Sequence, residues 1–231
     1  MTEAVLFDLD DTLYPYPPCR AAGLAAAHAE LRDRGYDLDR ETFDDLYAAG
    51  RRAAKRDLPG VAANHSRLLY LRRLLRERTG RERAADARAA ADAFWEAYLR
   101  EVAPLDGVRE ALTALSEAGV GVAVVTNLTA RVQVRKLEAL GLADAVDRLV
   151  TSEEVGVEKP AAAPFTAALA DLDVGPSEAL VVGNDPAHDV AGGNAVGCET
   201  ALFNERDRTV PPDGQPDHRL DALSGVLKMA L

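Results

Sequence analysis

Asp8 and Asp10 stand two residues apart in Phe7-Asp8-Leu9-Asp10-Asp11-Thr12-Leu13, directly after the apolar run Ala4-Val5-Leu6. The run reads as a buried strand, which places both acids where it ends. Extended residues two apart point the same way, so the two carboxylates are aimed into one cleft. Neighbouring carboxylates repel, and the arrangement makes chemical sense where a divalent cation binds or where one of the pair moves protons. The competing reading is a solvated acidic turn. In the chemical reading Asp8 is the nucleophile, because a carboxylate can accept a phosphoryl group and later lose it to water. Asp10 protonates the leaving oxygen, and its carboxylate then takes a proton from the attacking water. Asp11 shapes the turn and the Thr12 hydroxyl orients its neighbours, with a structural role equally open for both.

Three further segments supply what such a site lacks. Thr126 and Asn127 end the apolar run Val120 to Val125, where a hydroxyl and a main-chain N–H can hold phosphate oxygens, or simply cap the next helix. Lys159, in Glu158-Lys159-Pro160, offers a cation to Asp8 and to an incoming phosphate; a solvated lysine is the alternative. In Gly183-Asn184-Asp185-Pro186-Ala187-His188-Asp189, Asp185 completes an oxygen-ligand Mg2+ site with Asp8 and the backbone carbonyl of Asp10, and Asp189 hydrogen-bonds behind it. Asn184 competes with Asp185 for the cation. His188 is expected to be exposed or outside the ligand set, since Mg2+ prefers oxygen.

Composition bounds the partners. The chain has 231 residues, 48% hydrophobic and 28% charged, with a net charge of −11. That balance is ordinary for a globular protein and argues against a general nucleic-acid surface, so any cation that meets a phosphate must be local. Cys19 and Cys198, the only cysteines, suggest neither a disulfide framework nor a metal site and are expected to be reduced in the cytoplasm. The N-terminal residues do not resemble a signal peptide, and no apolar stretch has the length of a membrane span. Lys55, Lys136, Lys159 and Lys228 are the only lysines, which makes the placement of each informative.

The elements that must position these groups follow from periodicity. From about Asp106 the pattern alternates: helix to Ala118, strand Val120 to Val125, helix Ala130 to Leu140, strand Arg148 to Thr151, helix Ala161 to Leu172, strand Ala179 to Val182, helix Val190 to Val196, strand Thr200 to Phe203. A βαβ series implies a parallel sheet, hence an α/β fold. The proline-rich stretch from Val210 to Pro216 reads as loop, before a last helix from about Leu220. Between the first strand and this series lies an Ala-, Arg- and Leu-rich block with helices at about Pro18 to Arg34, Arg40 to Arg56, Val61 to Arg78 and Arg81 to Val102. It is too long for a crossover. The expected organisation is a catalytic core of 1–16 and 103–231 with an inserted helical domain at 17–102.

Asp8-Leu9-Asp10-Asp11-Thr12, Thr126, Lys159-Pro160 and Asp185 with Asp189, in this order, resemble the four motifs of the haloacid dehalogenase-like hydrolase superfamily. The resemblance covers essentially the whole chain. It implies a Rossmann-like core, a mobile helical cap and Mg2+-dependent hydrolysis of a small phosphorylated metabolite through an aspartyl phosphate, with Asp8, Asp10, Thr126, Lys159 and Asp185 in the roles above. The fourth motif departs from the common Gly-Asp form, with Asn184 before Asp185. Dehalogenases of the superfamily place no acid two residues after the nucleophile, so Asp10 favours a phosphatase. A phosphomutase and a non-catalytic phospho-ligand-binding protein are the other readings. A phospho-accepting receiver domain fits poorly, since it lacks the insertion. Since the core motifs address only the phosphoryl group and the cation, selectivity is expected from the cap, hinged at Tyr14 to Pro17 and Ala103 to Leu105. Its candidate residues are Asn64, His65 and Arg67, while Arg51, Arg52, Lys55 and Arg56 read as a solvated face.

Overall fold

The computed structural model describes residues 1–203 and 209–231. The chain divides into two compact units, one formed by Tyr16–Val102 and the other by Met1–Pro15 with Ala103–Leu231.

Strand β1 (Ala4–Phe7) opens the second of these, the core, and all four of its side chains are buried. The chain then enters the helical unit: α1 (Tyr16–Asp33), α2 (Arg40–Asp57), α3 (Arg67–Thr79) and α4 (Ala84–Arg100). Within this unit α1 packs on α4, and α3 packs on both α2 and α4. Two glycines permit the close approaches. A Cβ on Gly23 would lie 2.8 Å from the Phe94 ring, and one on Gly50 would lie 2.6 Å from the Tyr70 carbonyl oxygen. Asp39 caps α2 by accepting from the Thr42 N–H at 2.7 Å. The single helix expected from Val61 to Arg78 is instead a 3-10 turn, Ala62–His65, followed by α3. Ser66 makes the division: its hydroxyl accepts from the Leu69 N–H at 3.3 Å and starts a new helix there. Gly80, in the left-handed region at φ 67°, ends it.

The core continues with α5 (Val108–Glu117), β2 (Gly121–Thr126), α6 (Ala130–Leu140), β3 (Arg148–Thr151), the one-turn α7 (Ser152–Val155), α8 (Ala162–Leu172), β4 (Ala179–Gly183), α9 (Ala191–Val196), β5 (Glu199–Phe203), β6 (His218–Leu220) and α10 (Leu227–Ala230). Among the described residues the six strands form one sheet in the order β3-β2-β1-β4-β5-β6, with every neighbouring pair parallel. The central strands are continuous apolar runs because helices cover both faces of such a sheet. Phe7 pairs with Val124 on one side and Val182 on the other, so Asp8, Thr126 and Gly183 end adjacent strands at one edge. This carboxyl edge is where open α/β sheets bind ligands.

The C-terminal segment departs from expectation. The helix predicted from about Leu220 is present as a 3-10 turn, Leu223–Val226, that runs into α10, but it is preceded by an edge strand, β6, that was not expected. Three residues are too few to carry a period. What holds them is pairing with β5 and the Asp217 carboxylate, which accepts from the Thr200 N–H at 2.9 Å and its hydroxyl at 3.0 Å. Cys19 and Cys198 are buried and unlinked, and no described helix is long and apolar enough to cross a membrane.

Candidate functional site

Lys159 is the centre of the arrangement. Its side chain is 3% exposed, and Nζ donates to Asp8 Oδ1 at 2.8 Å, Asp189 Oδ1 at 2.6 Å and the Val125 carbonyl at 2.7 Å. Burial alone would lower this ammonium's pKa, but the Asp189 and Asp8 carboxylates outweigh it and hold the group above its ordinary value. Its main chain is fixed as well. The Asn127 side chain accepts from the Lys159 N–H at 2.8 Å and donates to its carbonyl at 3.3 Å. Asn127, expected to bind phosphate, therefore uses its carboxamide to hold the Lys159 main chain.

Asp8 follows β1 and is anchored by its own N–H, which donates to the Val182 carbonyl at 2.8 Å. Its Oδ2 accepts from the Thr12 hydroxyl at 3.2 Å. Burial pushes the Asp8 carboxyl up to about 7; Lys159 opposes this, while the Asp189 and Asp10 carboxylates add to it. Asp11 has φ 71°, a turn conformation that aspartate tolerates, which accounts for it structurally.

Asp10 brings in residues that the motifs did not include. Its carboxylate accepts from Lys136 Nζ at 2.6 and 2.9 Å and from the Tyr14 hydroxyl. Lys136 is 1% exposed and reaches Asp10 from α6. One turn earlier, Gln133 donates to the Thr126 hydroxyl at 2.5 Å and, at 3.3 Å, to the Asn127 carbonyl. With its oxygen accepting from Gln133, Thr126 keeps its proton for an acceptor in the site. Both residues were detectable. Gln133 and Lys136 share the buried face of α6 with Leu137 and Leu140, and polar groups at core-facing helical positions call for a partner.

After β4 the chain makes a π-helical turn over Pro186–Val190 before α9. Asp189 is 3% exposed; its Oδ2 accepts from the Asp185 N–H at 2.9 Å while Oδ1 meets Lys159. Gly183 is required beneath it, since a Cβ there would fall 2.3 Å from Asp189 Oδ2. Asp185, the expected cation ligand, has its carboxylate engaged within this turn. Its Oδ1 accepts from the N–H groups of Ala187 and His188 at 2.9 and 3.2 Å, and Oδ2 lies 3.1 Å from His188 Nδ1, an interaction that raises the His188 pKa. The neighbouring Asn184 is 4% exposed, and its Nδ2 has no partner. An amide's oxygen and nitrogen exchange places by a half-turn, so this buried carboxamide has one end available.

No three His, Cys, Asp or Glu side chains among the described residues cluster as a metal site. An oxygen site assembled from one carboxylate, one main-chain carbonyl and one amide oxygen would not form such a cluster, and Mg2+ ordinarily completes its shell with water and substrate oxygens. The local charge suits a cation: three carboxylates, Asp8, Asp10 and Asp189, are paired with the two ammonium groups of Lys136 and Lys159.

Comparison with known proteins agrees with this geometry. The model of the haloacid dehalogenase-like hydrolase family matches residues 2–197. A ribulose-1,5-bisphosphate 5-phosphatase from Halopiger xanaduensis is 52% identical, over 96% of this chain and 97% of that protein. Among solved structures, a 2-haloacid dehalogenase from Pseudomonas syringae superposes with a TM-score of 0.77 at 27% identity, over 99% of this chain and 97% of that one. The HAD-hydrolase YfnB from Bacillus subtilis, bound to magnesium, gives 0.75 at 19% identity, over 99% and 98%. With the order of its motifs, the sheet that carries them and these matches in agreement, the chain belongs to the haloacid dehalogenase-like hydrolases.

Proposed function

We propose that this protein is a phosphatase that hydrolyses a small phosphate monoester through an aspartyl phosphate on Asp8. The observation that carries the reading is the Lys159 ammonium held between Asp8 and Asp189, with Asp10 two residues beyond the nucleophile. Asp8 attacks phosphorus, the bond to the leaving oxygen breaks, and Asp10 supplies that oxygen with a proton. Water then attacks the phosphoryl group, Asp10 takes its proton, and the bond to Asp8 breaks to release phosphate. For this the Asp10 side chain turns from Lys136 and Tyr14 toward the leaving group. Lys159, the Thr126 hydroxyl and the Asn127 N–H hold the phosphoryl oxygens.

Mg2+ suits the donors present, with Asp8, the Asp10 carbonyl and a group from the β4 turn as its ligands. The Asp185 carboxylate is engaged with its own turn, so we assign the third position to Asn184. When bound, the ion neutralises charge on the carboxylate and phosphate and polarises the phosphoryl group. A dehalogenase reading has a structural relative behind it, but halide leaves without a proton and gives Asp10 no task. We assign substrate choice to the helical unit, because the core groups address only the phosphoryl group.

The identity with the Halopiger enzyme makes ribulose 1,5-bisphosphate the first compound to assay, beside ribulose 5-phosphate and p-nitrophenyl phosphate, with Mg2+ and with EDTA. Turnover is expected only with the metal. Asp8→Asn is expected to fold and to lose several orders of magnitude in kcat, and unimpaired turnover in that variant refutes the mechanism.

A further inference from the structure

Arg67 stands in the first turn of α3 and is 7% exposed. Nη1 donates to the His65 carbonyl at 2.7 Å, Nη2 lies 3.4 Å from the Tyr16 hydroxyl, and Nε has no partner. The rest of its surroundings is aromatic. The guanidinium carbon sits 4.9 Å from the Trp95 ring centre, 5.4 Å from Phe94 and 6.0 Å from Tyr70. Among the described residues no carboxylate forms an ion pair with it. Elsewhere in the same unit, Arg34, Arg40, Arg72, Arg73 and Arg88 all have a carboxylate partner. Those pairs are largely exposed, where they contribute little. The one buried guanidinium, for which a counter-charge matters most, has none.

Ring faces stabilise a cation but leave its planar fork of donors unfilled. Arg67 itself belongs to the first turn of α3, the end of a helix that favours negative charge. Tyr16 and His65, the two residues Arg67 bonds, are themselves partly exposed. We propose that the helical unit contains an oxyanion site of its own, in which Arg67 and the first turn of α3 receive a phosphate or carboxylate group. Two sources share that chemistry: a second acidic group on the substrate, remote from the phosphate that is hydrolysed, and free inorganic phosphate. The first rests on the phosphatase reading, and the second does not.

Calorimetric titration of the whole chain with inorganic phosphate in EDTA tests the site, because without a metal the carboxylate-rich core repels the anion. One phosphate bound per chain is expected, lost in Arg67→Met, which keeps an unbranched apolar stem without the guanidinium. Arg67→Lys, with charge but no fork, is expected to bind at least tenfold more weakly. The second arm compares kcat/KM for ribulose 1,5-bisphosphate and ribulose 5-phosphate, which present the same 5-phosphate to Asp8. If the substrate supplies the anion, the wild-type preference for the bisphosphate falls at least tenfold in Arg67→Met. An unchanged preference together with lost phosphate binding identifies free phosphate as the ligand. The proposal is overturned if wild type binds no phosphate and treats the two substrates alike, a measurement that needs no variant, or if Arg67→Met matches wild type in both arms. A wild-type chain that hydrolyses neither compound instead refutes the phosphatase reading, and the titration still decides the site.

Discussion

Replacing Lys159 with methionine removes the one positive charge shared by Asp8 and Asp189 while keeping the volume of the side chain. The contacts at 2.8 and 2.6 Å each correspond to about 6 kcal/mol of attraction at an effective dielectric near 20. Most of this offsets the several kcal/mol spent in taking each ion out of water, so the intact cluster is only modestly stabilising. Its disruption is not modest. Asp189, at 3% exposure, is left charged, buried and beside a second carboxylate, a situation that costs about 3–5 kcal/mol. Asp8 softens the loss, because it is 11% exposed and already pushed up to about 7, so it can take up a proton. We expect about 3 kcal/mol, or a fall in melting temperature of about 6–12 °C for a chain of this size. The only tryptophan, Trp95, lies in the helical unit, so its fluorescence reports the wrong part. Hydrogen exchange of peptides spanning β1 and β4, measured in EDTA across a urea series, follows the core. Adding Asp189→Asn to Lys159→Met removes the stranded charge and is expected to restore at least half of the loss, while activity stays absent. A loss below about 1 kcal/mol, or no recovery in the double variant, refutes the account.

Other consequences follow from the same contacts. Gly183→Ala forces a methyl group to within 2.3 Å of Asp189 Oδ2, so kcat is expected to fall at least a hundredfold; an alanine variant with normal turnover would show that Asp189 need not stand where it does. Lys136→Met removes the ammonium that pairs with the Asp10 carboxylate, the form that acts as base on the aspartyl phosphate, so alkyl phosphates and p-nitrophenyl phosphate are expected to slow at least tenfold alike, and a loss confined to alkyl phosphates argues that Lys136 acts on the acid step instead. Asn184→Ala is expected to raise the Mg2+ concentration for half-maximal activity at least tenfold and Asp185→Ala less than threefold, and the reverse order would return the metal to Asp185.

The strands and most helices of the core were legible because burial on both faces writes apolar runs and amphipathic helices write a period. The helix Ala130–Leu140 and the strand Arg148–Thr151 carry the same bounds in the sequence reading and in the structure. What escaped was set by partners distant in sequence. The strand His218–Leu220 exists through its pairing with β5, and nothing within three residues announces that. Asp10 had a role on paper but not its buried lysine, because Lys136 is 126 positions away and matches no motif. The Asp185 carboxylate is held by its own turn for a local reason. Charge alone favoured the carboxylate as a ligand, whereas a proline-led turn gives that carboxylate main-chain donors to satisfy.

The sheet order has a consequence for how the molecule is made. Strand β1 is central, and its neighbours begin at Gly121 and Ala179, whereas the helical unit is one unbroken stretch, Tyr16–Val102. At ribosomal rates of about 5–20 residues per second, the interval between Ala4 and Ala179 is about 9–35 s. For all of that time four apolar residues, fully buried in the finished protein, lack at least one flank, whereas the helical unit is complete in sequence once Val102 has been made. The strand that carries Asp8 is thus made before the rest of the core and enclosed only late, and a nascent chain paused short of Ala179 exposes to chaperones the segment on which phosphoryl transfer later depends.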